Sequence, residues 1–231
     1  MSYVFDAPKQ ASLPVRGSDR RFPIRRIFCV GRNYEAHARE MGKDPTREAP
    51  FFFTKPADAA VATPCSIPYP ALTENLHHEI ELVIAIGTGG ADIAEQDVMD
   101  HVWGASVGID LTRRDLQSEA KAMGRPWDWA KAFDNSAPMA PIVPIADVPS
   151  VEQGRIWLAV NGTTRQEADI SDLIWSVREH VSILSRAMRL APGDLVMTGT
   201  PAGVGAVVPG DVITGGVEGI GELTVTIGPR G

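Results

Sequence analysis

His77-His-Glu-Ile-Glu-Leu-Val-Ile-Ala-Ile86, closed by Gly87-Thr-Gly-Gly90, reads as a buried strand that is apolar from Ile80 to Ile86 except at Glu81. Glu79 and Glu81 stand two residues apart, so in extended chain they point to the same face. Two carboxylates on one face repel unless positive charge lies between them. A divalent cation meets that need, and hard oxygen ligands favour magnesium, manganese or calcium over zinc. A solvent-facing edge of an antiparallel strand accounts for the same spacing without a metal. A third carboxylate, Asp110, ends the apolar run Val102–Ile109, where a strand meets a loop and sites are commonly built.

Outward from this stretch the chain is a succession of short strand signals. Arg26-Ile-Phe-Cys-Val-Gly31, residues 51–54, Arg155-Ile-Trp-Leu-Ala-Val160, 194–198, 211–214 and 222–227 are each apolar or β-branched and bracketed by turn residues. Asn161-Gly162 predicts a tight hairpin turn. One clear helix is predicted over 171–188, where Leu173, Ile174, Val177, Val181 and Leu184 recur at three- and four-residue spacing before Pro192-Gly193. A short helix over 34–41 has Asn33 as its N-cap and Gly42 and Pro45 beyond its end. Strands and helices do not alternate as a doubly wound sheet requires. The expectation is a β-rich α+β fold, a roll or barrel with peripheral helices. Residues 24–231 read as a single domain, and 1–23, rich in Pro, Ser and Arg, as an arm lying over it.

The chain has 231 residues, a net charge of −7 and 44% hydrophobic residues. That balance fits a folded globular protein and argues against a nucleic-acid partner, which calls for a basic stripe. Arg20, Arg21, Arg25 and Arg26 are the nearest approach to one and read as a solvated loop. Cys29 and Cys65 lack disulfide or zinc spacing and read as small apolar core residues. Residues 1–9 carry no signal-length apolar run, and no later stretch approaches a membrane span, so the expected location is cytoplasmic.

Other residues with chemical capacity are scattered. His37 and Glu40, three apart on the short helix, share a face and form either a water-activating pair or an incidental surface cluster with Arg39 and Lys43. Lys131 lies in Trp127-Asp-Trp-Ala-Lys-Ala-Phe133, where aromatic walls hold an ammonium toward an oxyanion or the lysine simply snorkels. The loop Thr198-Gly-Thr-Pro-Ala-Gly-Val-Gly205 is interrupted by Pro201 and lacks the lysine of a nucleotide loop, though its amides and the Thr200 hydroxyl suit a carboxylate. His101 and His180 have no such context and read as structural or solvated.

In this order, Gly31-Arg-Asn-Tyr-Glu-Ala-His37, His78-Glu-Ile-Glu81, Gly108-Ile-Asp-Leu-Thr-Arg-Arg-Asp115, Lys131-Ala-Phe-Asp134 and Thr198-Gly-Thr-Pro-Ala-Gly-Val-Gly205 resemble the fumarylacetoacetate hydrolase superfamily across residues 24–228. The resemblance implies a divalent metal, Mg2+ or Mn2+ with Ca2+ as a crystal substitute, held by Glu79, Glu81 and Asp110. It also implies a lid helix on which His37 and Glu40 supply the base for water, and a homodimer. Residues 17–27 and 49–58 look like the branch that acts on fumarylpyruvate in aromatic catabolism.

What the resemblance implies chemically is hydrolysis of the carbon–carbon bond of a 2,4-dioxo acid. Lys131 would stabilise the oxyanion, while Arg114, Gln117 and Thr200 would hold the pyruvyl carboxylate. Arg32 is assigned to the far carboxylate of a dicarboxylic substrate or to a structural role. Other acylpyruvates, decarboxylation of oxaloacetate and tautomerisation of a dicarbonyl acid remain as rivals on the same scaffold. A silent module binding small carboxylates is the non-enzymatic alternative.

Overall fold

The computed structural model describes residues 3–40 and 48–231. Its larger sheet has eight strands and curls into a half-barrel. In order across this sheet run Phe51–Lys55, Arg26–Gly31, Asp194–Met197, Ile80–Ile86, Val102–Ile109, Ala137–Met139 and Ala60–Ala62, with Val143–Pro144 also on Val102–Ile109. A second sheet of five strands orders Thr163–Asp169, Arg155–Val160, Val212–Val217, Gly221–Arg230 and Cys65–Tyr69. The architecture is the β-rich one expected, with few helices at the periphery.

Ile80–Ile86 lies inside the larger sheet and is buried along its whole length because each of its faces meets a different core. Ile80, Leu82, Ile84 and Ile86 pack into the core shared with the five-stranded sheet; Val83 and Ala85 pack with Leu13, Phe22, Ile24 and Ile27 on the other side. Two-sided burial is why the run lacks the polar alternation of a surface strand. The solvent-edge reading of Glu79 and Glu81 therefore does not hold.

The second core is closed by a hairpin of Ser12–Pro14 and Arg21–Pro23, with Leu13 fully buried. Of the arginines read as a solvated loop, Arg25 and Arg26 instead clasp the buried Asp194 at 3.1 and 2.7 Å. From the surface their charge balances a buried carboxylate, which the local sequence does not reveal.

Several expectations shift locally. The helix predicted over 171–188 begins later, at Val177–Ala187, after a 3-10 turn at Ile170–Asp172. Ser176 fixes that start: its hydroxyl accepts from the Glu179 amide at 3.3 Å, and the Glu179 carboxylate accepts from the Ser176 amide at 3.0 Å. The helix Arg114–Ala122 leaves no apolar period in the sequence, because its inward positions Arg114 and Gln117 are polar. Asn33 is no helix cap. Its side chain donates to the carbonyls of Trp175 and Thr198 and accepts from the Trp175 amide, tying the segment before Glu35–Glu40 to the body. Residues 41–42 and 45 at that helix's expected end lie outside the described residues. Asn161 and Gly162, at φ 50° and 77°, form the predicted hairpin turn.

Ser176→Ala removes one half of this capping box, and a thermal melt is expected to show a loss of about 1 kcal/mol, equivalent to about 2–4 °C.

Candidate active site

The carboxylates meet because of strand register. Ile80 pairs with Ile109 and Glu81 with Gly108, and the ladder continues one step further through the Asp110 amide, which donates to the Glu79 carbonyl at 2.8 Å. Glu79 and Asp110 are therefore directly opposed, with Glu81 two residues along the same face. Each offers an oxygen within 4.8 Å of the others, and all three are buried. From the next strand, Met197 pairs with Val83, which carries Gly199 opposite Glu81; its amide donates to Glu81 Oε2 at 2.7 Å. The amide-rich loop thus holds a carboxylate belonging to the chain itself.

One positive charge among the carboxylates comes from Lys131. Its Nζ lies 2.7 Å from Glu79 Oε2 and 2.5 Å from Asp110 Oδ2, over the face of Phe53. The snorkelling alternative fails, since Lys131 is buried. Burial alone would raise the Glu79 pKa, but Lys131, Arg114 and His37 outweigh it and hold the group below the usual carboxylate range. Glu81 goes the other way: burial first, then Asp110 and Glu79, push its pKa well up. One cluster thereby contains an ionised carboxylate and one that favours its proton when no further cation is present.

Around this floor is a small pocket, with a cavity volume of about 40 Å³. His37, buried on the helix Glu35–Glu40, and Arg32 line one side. Arg114 and Gln117 come from the first turn of Arg114–Ala122, and Thr200 from the loop after Asp194–Met197. Phe51, Phe53 and Trp127 form an aromatic wall, with Phe51 edge-on to Trp127 at 5.5 Å. Gly31 makes room for it: a Cβ there would stand 2.1 Å from the Phe51 ring.

The model of the fumarylacetoacetate (FAA) hydrolase C-terminal family matches residues 26–228. The chain belongs to the fumarylacetoacetate hydrolase family. It is 47% identical over 186 residues to a fumarylpyruvate hydrolase of Ralstonia sp, covering 80% of this chain and 96% of that protein. It is 40% identical over 201 residues to the human mitochondrial oxaloacetate tautomerase FAHD1, covering 87% and 90%. A crystal structure of fumarylpyruvate hydrolase from Pseudomonas aeruginosa, in complex with Mn2+ and pyruvate, matches with a TM-score of 0.97 at 52% identity, covering 99% of this chain and 100% of that one.

Of the ten site residues named from the sequence of this family member, the fold brings nine to the one pocket. The tenth, Glu40, is on the helix Glu35–Glu40, but its side chain lies outside the described residues. His180 is buried with Nδ1 3.3 Å from the Trp175 carbonyl, and His101 Nδ1 is 2.9 Å from the Thr88 carbonyl; neither lines this pocket.

Among the supporting residues that sequence reasoning missed are Lys55 and His77. Lys55 is fully buried, faces Asp110 Oδ1 at 2.8 Å and donates to the carbonyls of Leu111 and Lys131. A signal existed, since strand parity places Lys55 on the same face as Phe51 and Phe53. His77 accepts from Arg114 Nε at 3.3 Å and contacts Asn75 Oδ1 through Nε2 at 2.9 Å. Burial first, then the Arg114 guanidinium, bring its pKa down to about 4, so it is neutral at pH 7. Arg114 also donates to Gln117 Oε1 at 2.6 Å and pairs with Glu79, so its guanidinium is held from several sides.

Lys55→Met leaves Asp110 without one of its two cations, takes the Lys55 ammonium from the Leu111 carbonyl and leaves the Lys131 carbonyl only the Ser136 hydroxyl; urea unfolding is expected to report a loss of about 3–5 kcal/mol.

Proposed function

We propose that this enzyme hydrolyses fumarylpyruvate to fumarate and pyruvate with a divalent cation, Mn2+ or Mg2+, at Glu79, Glu81 and Asp110. The observation that carries this reading is the buried three-carboxylate cluster, backed by Lys131 and facing His37 and Arg114, in a chain 52% identical to a protein crystallised with Mn2+ and pyruvate. Three hard oxygen donors converging within 4.8 Å fit such a cation. Bound there, it supplies Lewis-acid polarisation of the 2-keto oxygen.

The chain's own groups account for the rest. Arg114, Gln117 and Thr200 hold the pyruvyl carboxylate, and Arg32, stacked over Phe51 at 4.8 Å, takes the far carboxylate. His37, oriented by Glu40 one turn along its helix, removes a proton from the water that attacks the C4 carbonyl carbon. An ammonium has three N–H donors. Lys131 directs two at Glu79 and Asp110, which leaves one for the oxyanion that forms at C4. When the oxyanion collapses, the C3–C4 bond breaks with its electron pair passing to C3. The proton that His37 took from the water returns to C3 and completes pyruvate, and the acyl half leaves as fumarate.

Residues 24–231 act in this reading as one catalytic domain with 1–23 as its arm. A homodimer in the cytoplasm, serving gentisate-type aromatic catabolism, goes with it. Relatives named oxaloacetate tautomerases favour a second reading, keto–enol conversion of oxaloacetate, which needs the same carboxylate binding but no attacking water.

With Mn2+ or Mg2+ present, purified protein is expected to remove the enol absorbance of fumarylpyruvate and release fumarate and pyruvate, and excess chelator to stop it. Turnover of oxaloacetate with none of fumarylpyruvate would select the second reading. Glu81→Gln is expected to weaken Mn2+ binding by more than about 100-fold while far-ultraviolet circular dichroism is unchanged.

Burial and the neighbouring Asp110 and Glu79 raise the Glu81 pKa, so cation binding competes with a proton there. Calorimetry in buffers of different ionisation enthalpy is expected to show release of up to about one proton per Mn2+, with affinity falling as pH is lowered.

A further inference from the structure

Gln166 belongs to the five-stranded sheet, not to the sheet that carries the three carboxylates. It is the one buried residue of its strand, Thr163–Asp169, and is fully buried. Leu158 of the neighbouring strand pairs with Gln166 while Ala159 pairs with Thr164, so Arg165 is an extra residue and the strand bulges there. The loop after Asp194–Met197 is pressed against this bulge at Gly203, φ 92°, where a Cβ would come within 1.9 Å of the Arg165 carbonyl oxygen. The bulge and the close contact together deliver the Gln166 carboxamide to the back of the active-site loop.

Its bonds there allow one arrangement of donors and acceptors. Gln166 Oε1 accepts from the Ile80 amide at 3.2 Å, and Nε2 donates to the Pro201 carbonyl at 2.8 Å. A backbone N–H can only donate and a carbonyl can only accept, so these two partners fix which end of the amide is oxygen and which is nitrogen. Two consequences follow outward. His78 Nδ1, 2.9 Å from Oε1, carries its proton and donates it. Thr200 Oγ1, 2.8 Å from Nε2, accepts, so the hydroxyl's own proton is directed away from Gln166. Thr200 lines the same pocket as Arg114 and Gln117.

We infer that Gln166 is a positioning residue: by forcing Thr200 Oγ1 to accept from its amide, it commits the Thr200 hydroxyl to donate to a carboxylate bound in the pocket. The inference rests on the preceding assignment of a pyruvyl carboxylate to that position. It extends the binding machinery to a residue of the second sheet, and it gives the five-stranded sheet a direct role in substrate affinity. Replacing Gln166 by Glu reverses the pattern, because a carboxylate only accepts and draws the Thr200 proton to itself.

The test is pyruvate binding to the Mn2+-loaded protein, by calorimetry, for wild type, Gln166→Glu, Thr200→Val and the double variant. Each single change is expected to weaken pyruvate about tenfold or more, with the double variant no weaker than Thr200→Val. In turnover, KM should rise more than kcat falls, and Mn2+ affinity should be unchanged. Wild-type pyruvate affinity in Gln166→Glu, or additive losses in the double variant, would overturn the inference. If Gln166→Glu does not fold, Thr200→Ser keeping pyruvate affinity while Thr200→Val loses it supports the inference, and equal affinity in Thr200→Val overturns it. Nitrogen-15 NMR of His78 should find the proton on Nδ1; a bare Nδ1 sinks the arrangement. Wild-type turnover of fumarylpyruvate is measured alongside: its absence removes the proposed reaction while leaving the pyruvate comparison to decide the role of Gln166.

Discussion

Three carboxylates held within 4.8 Å in a buried site impose a strong electrostatic demand, and most of the surrounding structure answers it. Like charges at that separation are tolerated only when cations or donors reach them in place of water. Lys131 bridges Glu79 and Asp110, Lys55 faces Asp110 from behind, Arg114 pairs with Glu79, and the Gly199 amide supports Glu81. These cations come from separate segments of the chain, so the charge cluster and the tertiary fold require each other.

The cations divide by what else they touch. Lys55 is committed to two backbone carbonyls as well as to Asp110, and it serves to hold Lys131 and Leu111 in place. Lys131 faces the pocket with donor capacity remaining. Arg114 is braced by neutral His77 on one side and Gln117 on the other, which orients a planar guanidinium for a bidentate partner. Identical charges thus take different roles through their second partners, and the same logic runs from Gln166 to the Thr200 hydroxyl.

The sheet arrangement explains why this site is rigid on one side and composite on the other. Glu79, Glu81 and Asp110 sit on or beside two paired strands whose faces are covered by two cores, so their spacing is set by the β-ladder. The walls come from the short helix bearing His37, the first turn of Arg114–Ala122, and a loop pinned between the sheets by Asn33 and by the bulge at Arg165. The relatives of this chain include both a fumarylpyruvate hydrolase and oxaloacetate tautomerases.

The sequence by itself determined the β-rich class, the strands Val102–Ile109 and Arg155–Val160, the Asn161-Gly162 turn, and the shared face of Glu79 and Glu81. Each of these depends on two-residue alternation, on backbone preference at glycine and asparagine, or on near neighbours in the chain. The ordered motifs carried the family and the named site residues. Tertiary structure alone decided that Glu79 and Asp110 oppose each other, because register between residues 31 positions apart is a property of pairing, not of either strand. It also decided that Lys55, His77 and Gln166 serve the site and that Arg25 and Arg26 pair with buried Asp194. Each of those roles is a polar contact across long sequence separation, and such a contact leaves no periodic trace in the chain that makes it.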